Sequence, residues 1–459
     1  MRNEMPVDVD VLVVGAGACG LAAAVAAHDA GVDVAIIEKL DRPGGNSSLS
    51  TGSVPGAGTR FQREAGIVDS PAQFIADLTR TGRATDCPEL LRRLAETSAE
   101  TVEWLVDKVG ARLELVTAYK HVGHSVPRLH APASRRGRDL VDDLLVAIEK
   151  RGISLAVGNS AQALIADANG VIIGVEVRTT GGESNRVIAR KVVLAVNGFA
   201  GNRDLVARFC PEISGAQYFG ARGSTGEAVL WGTKLGAALG NMGAYQGYAA
   251  VSDPHGTILS WTTIEKGGII IDSTGNRFGD ESIGYSGYAP NVMATHGPCF
   301  AIFDQKIFDV TAAEEEFLEL ANYGGVKKFE ATKSLGLDPD AVNAAIDSYN
   351  KSASGEQADG FGRCDFGLAP LSGTLYICRI LPGLFHTQGG LVVDIDGRVL
   401  KPEGKPIPNL FAGGGAAAGI SGRTGAWGYA SGNGLLSAVG LGRLCGLAAG
   451  RETKAGATA

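Results

Sequence analysis

The chain has 459 residues and a formal net charge of −7, too long for one ordinary core and without the basic stripe that nucleic acid requires. Its seven cysteines are scattered with no C-x-x-C, which excludes c-type haem attachment and argues against zinc or iron–sulfur ligation. No metal is expected, and a dispersed, odd set fits a reducing compartment.

The first ten residues are polar and acidic, with no apolar leader, and no run of eighteen apolar residues marks a membrane span. The sequence therefore predicts a soluble, cytoplasmic protein with neither nucleic acid nor membrane as partner. Glycine, at 66 residues, is about twice as frequent as average. It sits inside apolar runs, where it marks tight turns and close backbone approach.

In chain order, Val11 to Val14 is a β-branched apolar run and predicts a buried parallel strand. It leads into Gly15-x-Gly17-x-x-Gly20, an alanine-rich helix over Leu21 to Ala30, a second strand over Val32 to Ile37, and then Glu38. Each part has a mechanical reason. Gly15 permits the turn, Gly17 lets the backbone approach a pyrophosphate, and Gly20 lets helix and strand pack closely. The helix N-terminus offers N–H groups to phosphate, and Glu38 offers acceptors to ribose hydroxyls. The unit predicts dinucleotide binding.

Next comes "DRPGGNSSLSTGS" (Asp41 to Ser53), rich in glycine and serine. Tyr119 and "HVGHSVPRLHAP" (His121 to Pro132) form a candidate substrate-side segment, in which His124, Arg128 and His130 lack metal-ligand spacing. "SRRGR" (Ser134 to Arg138) reads as a solvated loop or helix start. Ser154 to Thr179 is β-rich, and "KVVLAVNGFAGN" (Lys191 to Asn202) contains another buried strand. Ala312 to Leu320 predicts an acidic helix, Leu410 to Ala412 a strand ending in glycines, and "LLSAVGLGRLCGLAAG" (Leu435 to Gly450) an apolar helix. The tail "RETKAGATA" reads as disordered.

Three of these segments together resemble FAD-binding flavoproteins: the glycine-rich run after Glu38, "VVLAVNGF", and "PNLFAGGG", similar to a "P-x-L-[FY]-A-x-G" element. No second GxGxxG exists for NAD(P)H. The distribution over nearly the whole chain resembles the fumarate reductase/succinate dehydrogenase flavoprotein family, in its ketosteroid dehydrogenase-like branch. The resemblance implies an α/β fold: a discontinuous Rossmann-type FAD-binding domain with an inserted α+β cap domain. The expected parts are 1–245 (FAD-binding, first part), 246–380 (substrate and cap) and 381–459 (FAD-binding, second part). It also assigns the cofactor to Gly15, Gly17, Ala18, Cys19, Gly20, Glu38, Lys39, Gly44, Gly45, Asn46, Ser47, Ser48, Gly52, Asn197, Gly198, Gly414, Gly432, Asn433, Gly434 and Leu435. Asp41 to Arg60 contains no histidine, so the FAD is expected to be non-covalent.

The substrate positions divide the branches. Fumarate reductases carry histidine in "Q-x-H-P", where this chain has Tyr248, and arginine closing "R-F-x-N-E-x-x-x-R", where it has Tyr285. In their "H-x-T-x-G-G", Phe385 stands in register and His386 one place later. In "N-R-x-G-G-N-A", Tyr429 replaces the arginine. A dicarboxylate needs cationic, preferably bidentate partners, whereas tyrosines suit an uncharged carbonyl compound. Ketosteroid dehydrogenases carry tyrosine at the positions of Tyr285 and Tyr429, and "Y-x-S-G" matches Tyr429-Ala430-Ser431-Gly432.

The resemblance thus implies a dehydrogenase introducing a C=C bond beside the carbonyl of a cyclic or steroid-like ketone. Tyr429 and the N–H of Asn433 or a neighbour hold the carbonyl, Tyr285 takes the α-proton, Ser431 relays it, and the β-hydrogen leaves as hydride to the flavin. Tyr119, His130, Tyr248, Phe385, His386 and Asn433 complete the expected substrate set, with an unidentified electron acceptor as the other partner. Two readings stand beside it. One is a fumarate-type or ene-reductase acting on an unsaturated organic acid through Arg423, His386, Arg128 and His130. The other is a flavin-binding protein without turnover.

Overall fold

The computed structural model describes residues 7–117 and 121–457. The chain forms two compact units. The first takes the chain up to Cys210, Gly220–Tyr245 and everything from His386 onward; the second takes Pro211–Phe219 and Gln246–Phe385.

The first unit is built on an eight-stranded sheet whose main order is Arg398–Leu400, Pro406–Ala412, Ser184–Leu194, β1 (Val9–Val14), β2 (Val34–Ile37) and Ser154–Ala156. All these neighbours pair in parallel except the first two. Val11, Leu12 and Val13 are fully buried, as strands of a sheet covered on both faces must be. The expected strand over Val32 to Ile37 begins at Val34, and the expected helix over Leu21 to Ala30 begins at Ala18, forming α1 (Ala18–Asp29).

The C-terminal apolar run does not form one uniform helix. A single turn over Asn433–Leu435 passes through a π-helical stretch, Leu436–Gly440, into the helix Leu441–Ala457. Gly442 and Gly446 lie so close to α1 that a side chain on either would overlap the carbonyls of Cys19 and Ala23. The expectation of a disordered tail fails here. Arg451 to Ala457 is helical, and Glu452 accepts from Lys191 Nζ at 2.7 Å and Arg398 Nε at 2.6 Å. Two cations far away in sequence hold what composition alone reads as loose.

The second unit is organised around the strands Ile269–Ile271, Cys299–Asp304, Leu375–Thr387 and Gly243–Ser252, in that order. The predicted acidic helix over Ala312 to Leu320 is replaced by two helices, Gln305–Thr311 and Glu315–Asn322. Asp304 starts the first by accepting from the Ile307 N–H at 3.1 Å, and residues 312–314 turn between them. None of the seven cysteines forms a disulfide; six are buried and Cys364 is exposed. Among the described residues no helix is long and apolar enough to cross a membrane, and no group of three or more His, Cys, Asp or Glu could hold a metal.

Candidate active site

The first unit carries the cofactor cradle. β1 runs into Gly15, whose φ of +108° belongs to glycine and where a side chain would overlap the Ala195 carbonyl. A side chain on Gly20 would overlap the Gly15 carbonyl, so this turn admits no other residue there. Gly17 caps α1 with no side-chain bond, and the first turn has no acidic residue, leaving a helix terminus suited to phosphate. Glu38, at the end of β2, accepts from the N–H groups of Ala16 (2.8 Å) and Leu40 (2.9 Å). Each carboxylate oxygen keeps a second lone pair for a hydroxyl.

Gly44 N–H donates to the Ala16 carbonyl at 2.9 Å, drawing the glycine-rich segment alongside the first turn. There Ser47 Oγ accepts from Ala18 N–H at 3.3 Å, and Ser48 Oγ donates to the Gly45 carbonyl at 2.9 Å. Gly45, Gly52 and Gly414 have positive φ, as does Asn197 at +67°. Asn197 Oδ1 braces the Gly198 N–H at 2.9 Å. Leu435 packs in the core.

Lys39 is engaged elsewhere, with Thr225 Oγ1 at 2.9 Å and with Glu227. The Cys19 thiol is buried, which pushes its pKa up to about 12, so only its backbone serves the turn. In this cradle the buried Asn46 Nδ2 and Asn433 Oδ1 have no protein partner. An orphan of this kind costs about 1–3 kcal/mol unless a ligand satisfies it. The glycine cradle, the free helix terminus and these two orphans fit a dinucleotide cofactor.

The same unit presents Tyr429, half-buried, in the loop Gly428–Gly434. His386 lies beside it, ring centroids 6.2 Å apart and edge to face. His386 Nε2 is 2.5 Å from Gln388 Nε2, and burial pushes its pKa down to about 4, so it is neutral at pH 7. A side chain on Gly434 would stand 3.1 Å from that same Nε2. Tyr429, Gly434, His386 and Gln388 therefore share one neighbourhood. Ser431 is buried; its N–H donates to the Val122 carbonyl at 3.0 Å, and its carbonyl accepts from His124 Nε2 at 2.8 Å.

The Asn433 N–H, expected to hold a substrate carbonyl, instead donates to the Ala430 carbonyl at 3.1 Å. The neighbouring Gly432 N–H has no acceptor among the described residues. His130 is fully buried on the short strand Leu129–Ala131, with Nε2 3.0 Å from Thr59 Oγ1. Tyr119 lies outside the described residues.

The second unit gathers the other aromatic positions. Tyr248 is stacked between Tyr285 (centroids 5.0 Å apart) and Phe385 (5.4 Å). Trp261 stands edge-on to Tyr248 and Tyr285, at 6.3 Å from each, and Phe219 is edge-on to Phe385 at 6.1 Å. Trp261 and Phe219 went unnoticed in the sequence, because neither lies near a motif.

Tyr248 Oη donates to the Leu259 carbonyl at 3.0 Å, and burial raises its pKa well above that of free tyrosine. It is a neutral back plate rather than a hydroxyl aimed at a ligand. Tyr285 is half-buried, and its carbonyl accepts from Ala249 N–H at 2.9 Å. Four residues earlier, Glu281 is fully buried and bonded to Arg277 (2.7 Å) and Arg363 (3.2 Å), so "RFGDE" acts as an anchor for the Tyr285 loop.

The two arginines expected to serve an acid substrate are committed. Arg128 is fully buried, forked onto Asp69 with two 2.7 Å bonds and bonded to Asp77 at 3.0 Å. Arg423 is exposed and paired with Asp86 at 2.6 Å.

A parallel sheet ending in a glycine cradle, with Tyr429 and a neutral His386 in the same unit, is the arrangement of a flavoprotein. The chain belongs to the FAD binding domain family, whose profile matches residues 10–435, and its cofactor is FAD. It is 31% identical over 426 residues to the NADH:fumarate oxidoreductase of Klebsiella pneumoniae (strain 342), covering 92% of this chain and 46% of that protein. The chain thus spans about half the length of that relative.

Among solved structures it resembles the open conformation of a flavocytochrome c3 fumarate reductase, with a TM-score of 0.82 and 27% identity over 97% of this chain and 78% of that one. It also resembles the 3-ketosteroid-Δ4-(5α)-dehydrogenase of Rhodococcus jostii RHA1 in complex with 4-androstene-3,17-dione. There the TM-score is 0.77 and the identity 26%, over 98% of both chains.

Proposed function

We propose that the protein dehydrogenates a cyclic or steroid-like ketone, removing one hydrogen from each of the carbons α and β to the carbonyl. The observation that carries this reading is the neutrality of the expected substrate positions. Tyr248, Tyr285 and Phe385 form an aromatic stack, Tyr429 faces a neutral His386, and Arg128 and Arg423 are consumed by aspartates. Burying a dicarboxylate without cationic partners costs several kcal/mol, whereas a ketone brings no charge to bury. The near-complete mutual coverage with a ketosteroid dehydrogenase supports the same class.

In this reading Tyr429 donates to the carbonyl oxygen, aided by the unpartnered Gly432 N–H, and the α-carbon is thereby acidified. Tyr285, once deprotonated to its phenolate, accepts the α-proton and Ser431 relays it onward. Bound FAD would supply the acceptor for the β-hydrogen, which leaves as hydride. Residues 1–245 and 381–459 serve as the FAD-binding parts and 246–380 as the substrate part, with the cradle residues above holding a non-covalent cofactor.

A second reading, reduction of an unsaturated organic acid, is favoured by the names of the Klebsiella relative and the flavocytochrome. Anaerobic mixing separates the two. Cyclic ketones are expected to bleach the flavin absorbance, while fumarate does not reoxidise the reduced protein. Rapid fumarate turnover without any response to ketones would replace the first reading with the second. Acid precipitation should release the yellow chromophore, since no covalent link is expected.

A further inference from the structure

The segment His121–Ser125 grips the Tyr429 loop from outside it. Val122 and His124 bond the N–H and the carbonyl of Ser431. Gly123 lies between them at φ +85°, and a side chain there would come within 2.8 Å of Ala430 Cα. Behind His124, Nδ1 is 2.9 Å from Arg128 Nη1. Arginine only donates and a carbonyl only accepts, so the group between them must accept on one side and donate on the other. A neutral imidazole carrying its proton on Nε2 does so, and an imidazolium does not.

The rest of the grip is rigid. Arg128 is fixed by Asp69 and Asp77 and lies over the Phe74 ring at 4.5 Å; Phe74 also packs against His124 at 5.7 Å. Asp77 is itself held by the Ser125 N–H (2.8 Å) and hydroxyl (2.7 Å) and by Arg80 (2.8 Å).

This grip has a consequence for the loop. A trans peptide points its N–H opposite its C=O. With the Ser431 carbonyl turned to His124, the Gly432 N–H is turned the other way, and it is the N–H that has no acceptor among the described residues. We propose that His124 is a positioning residue: by holding the Ser431 carbonyl it orients the Gly432 N–H and fixes the loop that bears Tyr429 and Ser431. The proposal rests on the ketone reading for the chemistry this loop serves.

The test compares His124→Phe, which keeps the ring packing but removes both hydrogen bonds, with His124→Gln, whose amide accepts and donates. Both are purified as FAD holoproteins. His124→Phe should retain FAD, speed amide exchange at Ser431, and lower kcat by up to about 10²-fold with little change in KM, as a small misplacement of reacting groups does. His124→Gln should recover most of that loss.

Wild-type kcat in His124→Phe, or equal impairment of His124→Gln, overturns the proposal. Each variant is assayed with cyclic ketones and separately with fumarate. If only fumarate serves the wild type, the ketone reading fails, while the ratio of the two variants in fumarate turnover still decides the role of His124. Should His124→Phe not hold FAD, Gly123→Ala disturbs the same grip from the backbone. It should lower kcat likewise, and wild-type kcat there overturns the proposal.

Discussion

Each unit anchors a tyrosine-bearing loop with a buried arginine network, and the two networks work differently. In the second unit, Arg277 and Arg363 close on Glu281 and Asp359 within one neutral cluster. Both guanidiniums also lie over the Tyr349 ring, at 5.0 and 5.3 Å. Burial opposes the Arg277 charge, and its bonds to Glu281 and Asp359 outweigh that and raise its pKa. Tyr285 follows by chain continuity, four residues past Glu281. In the first unit, the Arg128 network reaches Ser431 only through one neutral imidazole. The Glu281 arrangement ties loop position to folding itself. The Arg128 arrangement isolates it in a single replaceable side chain, so stability and catalysis should separate there and not in the other.

The largest expected effect bears on Tyr285. Tyr285→Phe should slow flavin reduction by the best ketone about 10²–10⁴-fold, the contribution of a positioned proton acceptor, with FAD content unchanged. Stopped-flow absorbance reads it, and a near wild-type rate would remove the proton-transfer role. Next, Glu281→Ala leaves two buried guanidiniums short of an anion and should destabilise the protein by about 3–5 kcal/mol in denaturant unfolding. A loss no larger than that of a surface substitution would break the contrast between the two networks.

Tyr429→Phe removes one donor to the substrate carbonyl and should cost about 10²–10³-fold in rate, again with FAD retained. The smallest effect per side chain concerns acid. Burial, the largest cause in each case, lowers the pKa of His121 to about 3 and of His124, His130 and His386 to about 4, from 6.5. All four lie in the first unit. Between those values the unfolded chain binds more protons than the folded one, so stability is full above pH 6.5 and falls as pH drops towards 4. Each histidine contributes at most about 1.4 kcal/mol per pH unit. Unfolding midpoints at pH 7.5 and 5.5 should differ accordingly, and equal midpoints would contradict the burial.

The Rossmann-type portion was legible because its demands are local. Gly15 needs its positive φ and Gly20 its missing side chain, so both leave marks in adjacent residues. Tyr248, Tyr285, Phe385 and Tyr429 stand out for the same reason, since each lies in a short motif. What escaped is non-local. Arg128 finds Asp69 across 59 positions and His124 finds Ser431 across 307, distances over which no periodicity speaks. Residues 451–457 read as loose because Lys191 and Arg398, which hold Glu452, lie outside any window around them. Tyr248 read as a ligand contact because its motif shows the ring and not the Leu259 carbonyl that takes its hydroxyl.

The lone exposed thiol has a practical consequence. Six cysteines are shielded and Cys364, in the second unit, is open to solvent. A maleimide dye should therefore attach at one place without any engineered cysteine. Because the first unit carries the cradle proposed for the flavin, which absorbs blue light, energy transfer between flavin and dye would provide a molecular ruler. Its reading with and without a ketone would report, in ångströms, whether turnover is accompanied by movement of one unit against the other.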